Sequence, residues 1–319
     1  MKIVNLDGFT TNPGDLSWDA IKKLGDYTVY DRTPADKIVE RAKGAEILIV
    51  NKTIIDKSTL DALSPELKFI ALQSTGYNVV DCGYARSLGI SVSNIPSYST
   101  DAVAQLVFSL ILQITNKVTL HSDAVRNGEW CNCPDFCFWK SPLTELSGKN
   151  IGIIGFGAIG KKVAEIAEAF GMNVLVYSPR PKSTEMFKTA KFVSLNEMLS
   201  NSDIITCHCP LTDETTDLIN KETISKMKKS AIFINTSRGP VVDEDALADA
   251  LNNEEIAGAG LDVLRVEPAR SDNPLISAKN CYITPHIAWA AQETRERLLN
   301  ILEENLKAYI NDSPQNVVN

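Results

Sequence analysis

What the sequence lacks already excludes several classes of protein. No apolar run approaches the roughly 18–20 residues that cross a bilayer, and the residues after Met1 turn polar too early for a signal-peptide core. Basic residues are in the minority, with 32 Lys and Arg against 40 Asp and Glu and a net charge of −8. A nucleic-acid-binding protein needs a basic face. We therefore expect neither a membrane partner nor a nucleic-acid partner.

The seven cysteines lack the paired spacing of a structural zinc site. They include two clusters, Cys131 with Cys133 and Cys137, and Cys207-His208-Cys209. Only Cys133 and Cys137 fit a ligand pair loosely, and an odd number of cysteines is unlike a secreted disulfide framework. We expect no metal, and reduced thiols in a cytoplasmic protein.

The length and the pattern of apolar residues predict two α/β domains. A chain of 319 residues is long for one core and fits two domains of about 150 residues. Its first third alternates short β-rich runs with helical stretches such as 36–43 and 58–63. This alternation predicts a parallel sheet of flavodoxin type. The predicted strands are 2–6, 27–30, 47–51, 69–73 and 90–92.

A long segment, 100–127, follows with apolar residues at helical spacing on a wide face. It predicts one buried helix linking the domains, and a homodimer contact through the same helix is compatible with that role. Residues 128–142 are irregular and rich in aromatic side chains. A second alternating series begins at Lys149, and a final helix is predicted over 291–309. The predicted strands of this series are 151–154, 173–177, 204–207, 231–235, 258–262 and 282–284.

A glycine-rich turn directly follows the first strand of the second series. It reads Gly155-Phe156-Gly157-Ala158-Ile159-Gly160 and opens a helix that ends near Gly171. In this context the glycines serve a tight turn, a close approach to a pyrophosphate, and helix–strand packing. The helix N-terminus adds free N–H groups and a positive dipole end. The turn therefore predicts a dinucleotide-binding Rossmann domain.

The next strand ends without the acid that usually binds the ribose hydroxyls of NAD. Ser178 stands there, followed by Arg180 and Lys182. A hydroxyl with nearby cations accepts a 2′-phosphate, which a carboxylate repels. We therefore expect NAD(P)H as cofactor, with NADP favoured and NAD not excluded. The alternative is that Arg180 stacks on adenine while Lys182 is merely solvated.

Polar side chains follow three later strands of the second series. Arg238 comes after the strand 231–235, and His286 follows the last strand. Asp262 closes the strand 258–262, and Glu267 comes shortly after it. Ligands bind outside the carboxyl ends of parallel strands. We therefore expect these residues to converge beside the glycine turn.

Further motifs accompany the glycine turn along the chain. They are Ser74-Thr75-Gly76-Tyr77-Asn78-Val79-Val80-Asp81, Val103-Ala104-Gln105, Cys209-Pro210-Leu211-Thr212, Thr236-Ser237-Arg238-Gly239 and Pro285-His286-Ile287-Ala288-Trp289. With these motifs the chain resembles the D-2-hydroxyacid dehydrogenase family along essentially its whole length. Two more segments, Pro134-Asp135-Phe136-Cys137-Phe138-Trp139 and Glu145-Leu146-Ser147-Gly148-Lys149, are most similar to the glycerate dehydrogenase (hydroxypyruvate reductase) branch of that family.

The resemblance implies reversible reduction of a small 2-keto acid to its D-2-hydroxy acid. Arg238 would anchor the substrate carboxylate, His286 would act as acid and base, and Glu267 would orient the imidazole. The substrate carboxylate would also meet the backbone of Ser74, Thr75 and Gly76, which places the active site in a cleft between two doubly wound domains. Other cofactor-side candidates are Gln105, Pro210, Thr236, Ser237 and Asp262, the last of which would contact the nicotinamide carboxamide or tune His286.

The resemblance also implies domain limits: 1–99 with 288–319 would bind substrate, and 100–287 would bind the cofactor. Alternatives stay open. A phosphoglycerate dehydrogenase is one, although no regulatory domain is appended. A formate dehydrogenase fits less well, because Glu267 is present where that relative has replaced the acid. A non-catalytic, nucleotide-sensing corepressor-like protein would carry similar motifs. The sequence does not say which 2-keto acid fits.

Overall fold

The computed structural model describes residues 1–180 and 183–319. Its strands form two sheets in which every pairing is parallel. The strands are β1 Lys2–Asn5, β2 Asp26–Val29, β3 Ile47–Val50, β4 Phe69–Leu72, β5 Ser91–Ser93, β6 Asn150–Ile154, β7 Asn173–Tyr177, β8 Lys191–Phe192, β9 Ile204–Cys207, β10 Ile232–Asn235, β11 Gly258–Leu261 and β12 Cys281–Ile283.

The helices connect these strands and cover both sheets. They are α1 Asp19–Lys22, α2 Ile38–Ala42, α3 Lys57–Leu63, α4 Cys82–Ser87, α5 Thr100–Asn116, α6 Val118–Arg126, α7 Ala158–Ala169, α8 Leu195–Asn201, α9 Lys221–Ile224, α10 Glu244–Asn252 and α11 Gln292–Ile310. Single 3-10 turns lie at Ala35–Lys37, Gly239–Val241 and Pro274–Ser277.

The chain forms two compact units, the first made of Met1–Ser99 with Ala290–Asn319 and the second of Thr100–Trp289. Ala288 and Trp289 therefore lie in the second unit, although the sequence assigned 288–319 to the first. The cause is local: the Ala288 N–H donates to Oδ2 of Asp262 over 2.9 Å, which keeps this segment on the second unit.

The first unit has a five-stranded sheet in the order β2-β1-β3-β4-β5, the strand order of a flavodoxin-like fold. Side chains alternate between its two faces. Val4, Leu48 and Ile70 belong to the core beneath α2, α3 and α4. On the opposite face, the Phe69 ring stacks on Tyr309 of α11 with centroids 4.4 Å apart. The predicted parallel α/β domain of the first third is confirmed.

The second unit has a seven-stranded sheet in the order β12-β11-β10-β9-β6-β7-β8. One face packs on α5 and α7, and the other on α8, α9 and α10. The strand order reverses beside β6, which marks the position where doubly wound sheets bind ligands at their carboxyl edge. The Rossmann architecture is confirmed. The two-residue strand β8 at the sheet edge was not predicted.

The predicted single helix over 100–127 is wrong, because it breaks at Lys117. This residue adopts left-handed angles (φ 49°, ψ 45°) between α5 and α6. The carbonyl of Thr115 accepts the N–H of Thr144 over 3.1 Å, so a distant segment takes the place of the next helical hydrogen bond. The axes of α5 and α6 differ by 55°. Among the described residues no single helix has the length and apolar character to cross a membrane, although this bent pair does when taken together.

Candidate active site

Two of the three glycines in the turn between β6 and α7 are explained by contacts within the protein. Gly155 has φ +93°, and a Cβ added there would lie 2.7 Å from the backbone nitrogen of Cys209. A Cβ on Gly160 would lie 2.2 Å from the carbonyl oxygen of Gly155. These positions therefore need glycine for the turn and for the packing of α7 on its strand.

Gly157 is different, because a Cβ added there meets nothing within 4 Å. It precedes α7, whose first residues are Ala158 and Ile159 and whose first turn has no side-chain cap. The leading N–H groups of a helix lack intrahelical partners and carry the positive end of its dipole. Open space above uncapped N–H groups fits the pyrophosphate of a dinucleotide.

The buried hydroxyl of Thr236 is a second feature of the second unit that fits a bound ligand. The residue is buried just past β10, and its Oγ1 bonds to no group in 1–180 or 183–319. A buried hydroxyl without a partner costs about 1–3 kcal/mol unless a ligand or water completes it. Its neighbour Ser237 is already engaged, since its hydroxyl donates to Asn235 over 2.8 Å.

Ser178 closes a small turn directly after β7. Its Oγ accepts the Arg180 N–H at 3.3 Å and lies 3.2 Å from the Arg180 carbonyl oxygen, to which it donates. A hydrogen bond from Thr212, with a smaller contribution from the charge of Arg180, lowers the pKa of the Glu214 carboxyl. Arg180 thus lies within the electrostatic reach of an acid on the loop after β9. Lys182, also predicted here, lies outside the described residues.

Asn235 builds the turn that carries Arg238, and the sequence prediction missed its role. The residue is buried at the end of β10. Its Nδ2 donates to the Arg238 carbonyl over 2.9 Å, while its Oδ1 accepts the Ser237 N–H over 3.0 Å. A Cβ on Gly239 would lie 2.0 Å from the backbone of Leu264, so the next loop passes directly against this turn. The signal was an Asn followed two residues later by polar turn residues, the pattern of an Asx-turn.

Glu267 and His286 form a hydrogen-bonded pair. Oε2 of Glu267 lies 2.6 Å from Nδ1 of His286, and its Oε1 accepts the Leu264 N–H over 3.1 Å. The pair fixes the imidazole, and Nε2 has no partner in the residues described. His286 also has φ +55°, a left-handed backbone that few residues other than glycine adopt. Such strain persists only where surrounding contacts impose it.

Asp262 supplies those contacts. Its Oδ1 accepts the Thr284 hydroxyl over 2.6 Å and the Ile287 N–H over 2.8 Å, and its Oδ2 accepts the Ala288 N–H. The His286 N–H donates to the Asp262 carbonyl over 2.9 Å. Burial raises the pKa of the Asp262 carboxyl, and the hydrogen bonds oppose that shift. Asp262 therefore holds the segment that carries His286, while its predicted contact with the nicotinamide stays a prediction.

The remaining predicted residues lie on other loops and helices. Ser74, Thr75 and Gly76 follow β4 on the first unit, where the Ser74 hydroxyl donates to the Gly76 carbonyl over 2.6 Å. The Pro210 carbonyl accepts the Thr215 hydroxyl over 2.7 Å. Gln105 lies on α5 in an exposed groove of about 480 Å³ beside α7. The roles of these residues stay predictions.

His208 shows why a histidine near a strand end need not exchange protons. Its Nε2 lies 3.0 Å from the Thr206 hydroxyl, and burial lowers the pKa of His208 to about 3. The ring is therefore neutral at ordinary pH. In the described ranges, no group of three or more His, Cys, Asp or Glu side chains is arranged to hold a metal ion.

The chain resembles known proteins along its whole length. Residues 108–288 match the family model described as "D-isomer specific 2-hydroxyacid dehydrogenase, NAD binding domain". A hydroxypyruvate reductase of Blautia hydrogenotrophica is 47% identical, with 100% of both chains covered. A glycerate dehydrogenase of Methylorubrum extorquens is 41% identical, with 92% of each chain covered. The structure of an acyclic imino acid reductase in complex with NADPH and D-Arg has a TM-score of 0.87 at 34% identity and covers 100% of both chains.

Proposed function

Because this chain belongs to the family of D-isomer-specific 2-hydroxyacid dehydrogenases, we propose that it reduces a small 2-keto acid of the hydroxypyruvate or glyoxylate type to the D-2-hydroxy acid. The chain is thus a dehydrogenase that uses a nicotinamide cofactor and acts on a small-molecule 2-hydroxy acid. The choice of substrate within that class is supported by similarity to the hydroxypyruvate reductase and the glycerate dehydrogenase.

The observation that carries the proposal is the Glu267–His286 pair. With Nδ1 fixed over 2.6 Å, Nε2 is the ring atom available to a substrate. An imidazole nitrogen can both donate and accept a proton, so Nε2 can donate a proton to the carbonyl oxygen during reduction and take it back during oxidation. Glu267 then balances the charge of the protonated ring. A bound nicotinamide supplies the hydride.

Two groups would hold the substrate carboxylate. Arg238 offers a planar guanidinium on an exposed side chain, whose Nη1 now donates to the Ser237 carbonyl over 2.7 Å. A guanidinium can grip a carboxylate through two parallel hydrogen bonds. The amide N–H groups of Thr75 and Gly76 are further proposed donors to a substrate carboxylate. The cofactor would lie against Gly157, Ala158, Ile159 and Thr236.

The cofactor preference is the finer part of the proposal. Ser178 offers no carboxylate to repel a 2′-phosphate, and Arg180 is two residues away. We expect NADPH to be accepted and favoured over NADH. Ser178→Asp should shift the ratio of kcat/KM for NADPH and NADH about tenfold toward NADH, through charge repulsion of the phosphate. An unchanged ratio would contradict the cofactor argument, and Ser183→Asp serves as the matched control.

The direct test is absorbance at the nicotinamide band with hydroxypyruvate, glyoxylate and pyruvate, each with NADH and NADPH. We expect turnover of hydroxypyruvate or glyoxylate in preference to pyruvate. Turnover of none of them would contradict the proposed reaction. Nucleotide binding without turnover would instead favour a sensing protein.

A homodimer through the helical region near 100–127 is also part of the proposal. Beyond α5, the segment 118–143 exposes apolar side chains that a second copy could cover, among them Phe136 at 89% and Trp139 at 67% exposure. Large exposed apolar side chains grouped in one segment are typical of interaction surfaces. Light scattering should give twice the chain mass of 35.0 kDa. A single chain mass at micromolar concentration would contradict it.

A further inference from the structure

The peptide planes of the loop at 74–76 are fixed by their carbonyl oxygens. The Ser74 carbonyl accepts the Ile95 N–H over 3.0 Å, and the Thr75 carbonyl accepts Nδ2 of Asn94 over 2.7 Å. The Gly76 carbonyl accepts the Ser74 hydroxyl over 2.6 Å. All three carbonyls are therefore occupied within the first unit.

In a planar trans peptide the N–H points opposite to the preceding carbonyl. Fixing the carbonyls of Ser74 and Thr75 consequently fixes the N–H groups of Thr75 and Gly76 in the reverse directions. Neither N–H donates to any group in the described part of the chain. Successive N–H groups without internal acceptors form an anion-binding concavity.

Asn94 is the residue on which this arrangement depends. Its N–H donates to the Asn316 carbonyl over 3.1 Å, and its carbonyl accepts Nδ2 of Asn305 over 2.9 Å. Asn316 closes the ring by donating to Oδ1 of Asn305 over 2.7 Å. Asn305 is fully buried on α11, so the backbone of Asn94 is held rigidly. Its side chain extends from this held backbone and donates to the Thr75 carbonyl.

We propose that Asn94, held by Asn305 and Asn316, is a positioning residue that aims the Thr75 and Gly76 N–H groups at the carboxylate of the 2-keto acid. The inference rests on the proposed function, because it assumes that this loop binds the substrate anion. Asn suits the role chemically, since its amide donates to the Thr75 carbonyl and carries no charge. Asp at this position would place a second acceptor against that carbonyl and a negative charge near the incoming anion.

The test compares Asn94→Ala and Asn94→Asp with the wild type. The readouts are KM and kcat for the preferred 2-keto acid, the Kd of oxamate in the presence of saturating cofactor, and the Kd of the cofactor alone. Losing one oriented hydrogen bond should raise KM and the oxamate Kd by about fivefold to tenfold in Asn94→Ala. Asn94→Asp should raise both further. In each variant kcat should fall less than KM rises, with cofactor affinity unchanged.

Asn300→Ala is the matched control, because Asn300 is exposed on α11, the helix that carries Asn305. It should leave all four quantities unchanged. If Asn94→Ala does not fold, Asn316→Ala removes the bond to Asn305 and keeps the Asn94 side chain. It should raise KM and the oxamate Kd in the same direction by a smaller factor.

The outcomes separate the two proposals. A wild type that turns over 2-keto acids, with Asn94→Ala unchanged in KM and oxamate affinity, overturns the role of Asn94 and leaves the proposed function standing. Equal losses in kcat, substrate affinity and cofactor affinity also overturn it, since they indicate a general structural role. A wild type that neither binds oxamate nor reduces any 2-keto acid overturns the proposed function and this inference with it.

Discussion

Two histidines of the second unit lie at the same edge of one sheet, but their surroundings differ. His208 directly follows β9, and His286 lies three residues beyond β12. The half-buried His208 has its ring against the Thr206 hydroxyl, whereas the half-buried side chain of His286 is paired with the Glu267 carboxylate. Burial without a charged partner disfavours the protonated ring, whereas a carboxylate compensates its charge. Position on a strand end alone therefore does not define an acid–base residue.

The difference extends to how each ring is held. His208 follows a regular strand, and its N–H donates to the Ile154 carbonyl over 2.7 Å. His286 has a left-handed backbone that Asp262 maintains through bonds on both sides of it. A strained position stabilised by a buried carboxylate is typical of functional residues.

The largest expected effect comes from replacing His286, the member of this comparison that is paired with a carboxylate. His286→Asn should lower kcat for 2-keto acid reduction by roughly 10²–10⁴, the usual contribution of a general acid–base group. Steady-state kinetics with saturating cofactor measure it. Near-normal kcat would remove His286 from this role.

Glu267→Gln sharpens the comparison by removing the charge while keeping a hydrogen-bond acceptor beside Nδ1. We expect kcat to fall by about 10–100-fold, because the protonated ring loses its compensating negative charge. His286 would then resemble His208 in lacking a charged partner. A variant whose kcat and pH profile match the wild type would contradict this view of the pair.

Replacing His208 should change the stability of the protein and not its catalytic rate. Its pKa falls from 6.5 to about 3 in the folded state, so below pH 6.5 the unfolded chain binds a proton that the folded chain does not. Above pH 6.5 this group therefore takes nothing from the free energy of unfolding. As the pH falls below 6.5, the free energy of unfolding decreases. The decrease between pH 7 and pH 5 amounts to about 2 kcal/mol for this group.

His208→Gln should therefore reduce the acid sensitivity of the unfolding free energy by that amount, as measured by urea titration at pH 7 and pH 5. Its kcat at pH 7 should stay within about threefold of the wild type, since burial keeps the ring neutral. An equal pH dependence in variant and wild type would show that the ring is not buried as a neutral group.

The local parts of this molecule were predictable from sequence, and the long-range parts were not. The glycine turn follows from spacing that a strand, a turn and a helix require within a dozen residues, and the strand periodicity predicted both parallel sheets. The family was identified from motifs, and the comparisons confirm it. The family resemblance implied that Glu267 pairs with His286, and their Oε2 and Nδ1 atoms lie 2.6 Å apart.

The features that the sequence did not predict have a common physical cause. The helix break at Lys117 depends on Thr144, far along the chain, and the two-residue strand β8 depends on pairing with β7. The bonds from Asp262 to the backbone of Ile287 and Ala288 likewise join residues about 25 positions apart. The proposed role of Asn94 depends on contacts with Asn305 and Asn316, which lie more than 200 residues further along the chain. Such contacts leave no periodicity in the sequence.

The pH dependence of kcat/KM for 2-keto acid reduction, compared between the wild type and His286→Asn, tests the central claim most directly. The wild-type value should fall toward alkaline pH, because reduction of the keto group requires a donated proton. The residual rate of the variant should lack that decline. The same alkaline decline in both proteins would contradict the assignment of His286 as the proton donor.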